Sequence, residues 1–212
     1  MAAVAEWWRM GSNEGLVMRH DPLPGFPSAE HSMGMSITAP RYTVADLENF
    51  PDDGNRYELL DGFVLVTPPP NTRHQYISGR LLVQLYAGMG TRPPAHVVGP
   101  GALYINDTTY FEPDLFVFPS TFSPDTKWTE IDERWLVVEI YSQSSRFYDR
   151  ELKREAYLRA GVSELWLIDP REKSVEVCRR GAPTVIVTDT IRWRPPGLEL
   201  IVPVNVTDLF AG

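Results

Sequence analysis

A chain of 212 residues can bury one sizeable core and still leave a tail. Its apolar share of 43% holds no run long enough to span a bilayer, and its single cysteine, Cys178, excludes an internal disulfide and any multi-cysteine zinc site, as fits a reducing cytoplasm. The net charge of −8 argues against a strong non-specific grip on nucleic acid, although a cluster of cation-binding acids would add to that charge without excluding such a substrate.

Residues 1–40 are rich in Gly, Pro, Ser and Met without a sustained period, and they read as a flexible or partly docked tail. The opening MAAVAEWWRM lacks a basic start followed by an apolar stretch, so no secretory signal is expected. Trp7 and Trp8 suit a segment that docks on the domain or on a second subunit. The domain covers 41–212. Thr43 is placed to cap a short helix over VADLENF. RYELLDGFVLVTP reads as a hairpin turning at Asp61-Gly62. In NTRHQYISGRLLVQLYAGMG, Ile77, Leu81, Leu82 and Leu85 follow helical spacing, and Gly88 or Gly90 closes the helix. GALYIND and TYFEPDLFVFP are two extended runs joined at Asn106-Asp107. ERWLVVEIYS has the apolar density of a sheet interior. Ser144 or Ser145 caps a helix over RFYDRELKREAYLRAG, which ends at Gly161. ELWLIDP pairs with KSVEVCRR, and VNVTDLF forms a last turn or helix. This order predicts an α/β (α+β) domain with a mixed sheet.

Asp114 borders the apolar run LFVF, and Glu139 lies inside WLVVEIY. A buried charge is costly unless paired or bound to metal. On neighbouring strands the two supply the one or two carboxylates that magnesium takes from a protein. A capping aspartate after Pro113 and a structural ion pair at Glu139 are the alternatives. Glu58 sits in the first hairpin strand and fits an exposed position equally well. Asp149, Lys153 and Tyr157 recur every fourth residue along one helix face. Taken alone, Asp149 and Lys153 read as an ordinary helical salt bridge. Their place just after the Glu139 strand brings Lys153 within reach of a metal-bound water or a phosphate. His74 opens the long helix as a polar ligand, a phosphate contact or a solvated residue. No nucleophile elbow and no glycine-rich phosphate loop is present.

YELLDGFVLVTPPPNTRHQYISGRLL, EPDLFVF and LVVEIYSQSSRFYDRELKREAYLRAGVSELWLIDP together resemble the Uma2 family, formerly a domain of unknown function, within the PD-(D/E)XK restriction-endonuclease-like group. The resemblance spans about residues 41 to 210. It implies a mixed central sheet flanked by helices and a Mg²⁺ or Mn²⁺ site at Asp114, Glu139 and Glu58. The lysine that most of the group carries two residues after the second acid is replaced here by Tyr141. Uma2 relatives carry it on the following helix, which matches Lys153, and a histidine in the long helix, which matches His74. Where relatives have Ser-Pro-Ser, this chain has Ser142-Gln143-Ser144.

The expected activity is metal-dependent endonucleolytic hydrolysis of nucleic acid, with DNA favoured over RNA. Asp114, Glu139, Lys153 and Glu58 are the expected catalytic residues, with Asp149, Tyr157 and His74 in support. No membrane partner is expected, and a homodimer is the default assembly. The rival is a catalytically degenerate nuclease fold that serves as a binding or assembly module, consistent with the acidic charge and Tyr141.

Overall fold

The computed structural model describes residues 41–142 and 148–211, all within the unit Arg41–Gly212. Thr43 opens a 3₁₀ turn over Val44–Asn49, where the Asp46 carboxylate accepts from both the N–H and the hydroxyl of Thr43. Strands β1 (Arg56–Leu60) and β2 (Phe63–Thr67) form the expected hairpin. Asp61 and Gly62 join them with φ of 51° and 83°, the left-handed pair that suits a two-residue turn to the strand twist. Helix α1 (Thr72–Met89) starts at Asn71, whose side chain accepts from the His74 N–H, and it stops at Gly90. There follow β3 (Ala95–Val98), β4 (Leu103–Asn106), β5 (Thr109–Phe111), β6 (Leu115–Pro119) and β7 (Leu136–Ile140). A π-helical turn over Tyr148–Lys153 runs into α2 (Arg154–Arg159), and Gly161 beyond it has φ of 86°. The chain continues through β8 (Glu164–Asp169), β9 (Ser174–Cys178), β10 (Val185–Val187), β11 (Thr190–Trp193), β12 (Val202–Asn205) and α3 (Val206–Leu209).

The main sheet has six strands in the order β10-β9-β8-β7-β6-β3. Only β7 and β8 run parallel; the other pairs in it are antiparallel. Parallel neighbours need a crossover, and the segment carrying α2 supplies it. A second sheet, β2-β1-β5-β4, is antiparallel, and β11 pairs with β12.

Alternation along β7 sorts the two faces of the main sheet. Leu136, Val138 and Ile140 pack in one core with Ile77, Leu81 and Leu85 of α1. Val137 and Tyr141 pack in the other with Tyr157 of α2 and with Leu65 and Phe111 of the smaller sheet. Glu139 shares the parity of Val137 and Tyr141, so it faces α2 and the smaller sheet.

This is the mixed α/β architecture expected, with three differences from the sequence pattern. TYFEPDLFVFP is not one strand. It divides into β5 and β6, which belong to different sheets. Pro113 has no N–H to continue a ladder, and the Glu112 N–H is drawn to Glu58 Oε1 at 2.8 Å. The pattern does not mark β3, which is only four residues long and follows directly on two prolines. The helix after β7 begins with a π turn rather than an α turn. The Ser144 or Ser145 cap and Trp7 and Trp8 lie outside the described residues. Among the described residues no helix is long and apolar enough to cross a membrane.

Candidate active site

Arg56 and Glu58 are two residues apart on β1, so both point to one side of the hairpin. Glu58 is 1% exposed, and its Oε1 accepts from the Glu112 N–H. Lys153, buried at the end of the π turn, places Nζ 2.6 Å from Glu58 Oε2 and 3.3 Å from Glu139 Oε1. The Tyr157 hydroxyl donates to the same Glu139 oxygen at 2.6 Å. Lys153 and Tyr157 are one α-helical turn apart, which lets both reach one carboxylate. One ammonium thus bridges acids from two different sheets. The low dielectric around it strengthens the attraction and makes an unpaired member expensive.

Asp114 sits at the corner between β5 and β6. Both terminal nitrogens of Arg56 lie 3.1 Å from its Oδ1, and Arg56 Nη1 also donates to the Glu112 carbonyl at 3.0 Å. His74 Nε2 is 2.8 Å from the same Oδ1, and the Ile140 N–H donates to Oδ2 at 2.8 Å. Burial pushes the Asp114 carboxyl up. The His74 and Arg56 side chains and the Ile140 N–H outweigh burial and hold it below the ordinary value. Gly99 makes this corner possible, because a Cβ there would lie 2.3 Å from the Asp114 carbonyl oxygen.

The structure therefore joins Glu58, Glu139, Lys153 and Tyr157 in one network and Asp114, His74 and Arg56 in another. The two meet at β7, where Ile140 follows Glu139. Two of the alternatives that the sequence left open are closed. Glu58 is not an exposed strand residue, because β1 is covered on this side. His74 is neither solvated nor peripheral: the N-terminal turn of α1 packs over the corner, and the imidazole is buried against Asp114. The side chain of Asp149 lies outside what is described, so its expected contact with Lys153 is outside it too. Lys153 itself is engaged with Glu58 and Glu139. Arg56 is a site residue that the sequence pattern does not single out. The signal for it is its place two residues before Glu58 in the same strand, which puts both on one face.

Among the described residues, no group of three or more His, Cys, Asp and Glu is arranged to hold a metal ion. The donor chemistry nevertheless fits a hard divalent cation at Asp114 and Glu139. Among the described residues, three buried carboxylates stand beside Lys153 and Arg56, and carboxylate oxygens are the donors such an ion takes. His74 Nδ1 is buried with no hydrogen-bond partner among the described residues. Magnesium usually takes no more than one or two carboxylates from a protein.

The sequence profile of the Uma2 family, described as "Putative restriction endonuclease", matches residues 44–205. Among curated proteins none matches this chain. A solved structure described as "a putative nuclease belonging to DUF820 from Anabaena variabilis ATCC 29413" superposes with a TM-score of 0.62 at 23% identity. The match covers 79% of this chain and 97% of that one, and it establishes likeness of fold.

Proposed function

This chain belongs to the Uma2 family, and on that premise we propose that it is a metal-dependent endonuclease that hydrolyses phosphodiester bonds in nucleic acid. The observation that carries the reading is Lys153 Nζ held between Glu58 Oε2 and Glu139 Oε1, beside the Asp114 corner. Asp114 and Glu139 would hold Mg²⁺ or Mn²⁺. When bound, such an ion lowers the pKa of water and offsets phosphate charge. Lys153 donates to phosphate oxygens as negative charge grows on them. Glu58, which the family resemblance implies as a third metal ligand, fixes the position of Lys153, and Tyr157 fixes Glu139. Arg56 and His74 keep Asp114 ionised and aimed. The proposal also includes DNA in preference to RNA, a cytoplasmic setting and a homodimer. The single buried, free Cys178 is consistent with a reducing compartment.

The test is cleavage of single- and double-stranded DNA and RNA with Mg²⁺ or Mn²⁺. Asp114→Ala and Lys153→Met should each lose at least about a hundredfold in rate, the scale of removing one transition-state contact. Purified protein that cuts none of these substrates, or Asp114→Ala cutting as fast as wild type, sinks the idea.

A second reading has its own support. Asp114, Glu139 and Glu58 are already paired by cations of the chain, and Tyr141 stands where most relatives in the wider group have lysine. A binding module built on a degenerate nuclease fold would look the same. Calorimetric titration with Mn²⁺ separates the two: heat of binding lost in Glu139→Ala favours the enzyme, and no heat in wild type favours the module.

A further inference from the structure

A concave feature lies away from the charged network, between β3, the far end of β6 and the loop that follows it. Its volume is about 280 Å³, and its lining includes His96, Phe118, Trp128, Ser123, Asp125 and Thr126. That is at the small end of ligand sites, suited to one planar ring system rather than a long ligand. Phe118 and Trp128 stand nearly perpendicular, with interplanar angle 83° and centroids 6.4 Å apart. Trp128 is 40% exposed, which is unusual for so large an apolar side chain with a core beside it. Ser123, Thr126 and Asp125 add hydroxyl and carboxylate groups able to meet the polar edge of a ring.

The position gives this cavity its meaning. Phe118 lies four residues along the chain from Asp114, about 13 Å at the usual strand rise. That distance corresponds to about four stacked nucleotides. We infer that the cavity is a subsite for one nucleobase of the strand being cut. The substrate class rests on the nuclease reading; the aromatic walls and hydroxyl groups are independent of it.

The test titrates full-length, metal-free protein with dinucleoside monophosphates of each base, reading tryptophan fluorescence, alongside cleavage assays with metal. Wild type should show saturable quenching. Trp128→Ala should weaken binding about tenfold or more, the usual scale for one stacked base. Thr126→Phe, which fills the cavity and leaves Trp128 in place, should do the same, with folding of both variants checked by circular dichroism. Absence of quenching in wild type, or full affinity in either folded variant, overturns the subsite. Asp114→Ala should lose cleavage and keep the quenching. If wild type is quenched but cuts nothing, the nuclease reading fails and the nucleobase site stands. If wild type cuts and Trp128→Ala binds as tightly, the subsite alone fails.

Discussion

Lys153 is the residue on which the charge balance of the site turns. In Lys153→Met the Glu58 and Glu139 carboxylates keep the Glu112 N–H and the Tyr157 hydroxyl as donors but lose their shared cation. Breaking a buried pair by removing one partner typically costs about 3 to 5 kcal/mol. Urea unfolding in EDTA should report a loss of that size, and a loss below about 1 kcal/mol would show that solvent already screens the pair. Asp114 adds a pH dependence. Its folded value lies below the ordinary 3.8, so the unfolded chain takes up the proton first as pH falls. The stabilisation is complete above 3.8 and is lost as pH drops through the folded value. In EDTA, the stability gap between wild type and Asp114→Asn should narrow as pH falls below 3.8. A gap that stays constant would show that Asp114 titrates alike in both states.

At the scale of elements, β7 and its neighbours were legible because an acid inside an apolar strand is costly unless something pairs it. Asp114 stands one residue before β6, which pairs with β7, so it lies beside the Glu139 strand as expected without being part of a strand itself. What escaped was set by tertiary packing. His74 resembles any first-turn histidine until α1 is known to cover the β5–β6 corner. Arg56 resembles any strand-opening arginine until Asp114 is placed opposite. The break of TYFEPDLFVFP into two sheets depends on Glu58 capturing the Glu112 N–H, a contact between residues far apart in sequence. The corner is also sterically tight at Gly99. Gly99→Ala must displace the Asp114 carbonyl, and an overpacking cost of about 1 to 3 kcal/mol is expected, together with slower cleavage. Gly79→Ala is the control. A Cβ there meets nothing within 4 Å, on an exposed turn of α1, so it should stabilise by about 0.5 to 1 kcal/mol. Thermal unfolding of the two variants should shift in opposite directions.

For the whole molecule, the net charge of −8 sets how nucleic acid is approached. Several arginines are already engaged: Arg56 with Asp114, Arg179 with Glu164 and Arg134 with the Ala160 carbonyl. Cations held in this way are less available to neutralise phosphates. Each neutralised phosphate steepens the salt dependence of log K by about 0.9, so a slope between about −1 and −3 is expected from anisotropy at varied KCl. A slope near about −8 would show instead that most of the free lysines and arginines converge on phosphates. The order of synthesis adds a last point. Glu58, Asp114 and Glu139 all leave the ribosome before Lys153, the bridge between the two sheets. A nascent chain ending before residue 153 carries the acids without that cation, and their burial is opposed. Docking of the two sheets is therefore favoured once the helix has been made, and a half-made chain lacks the cation on which the proposed site depends.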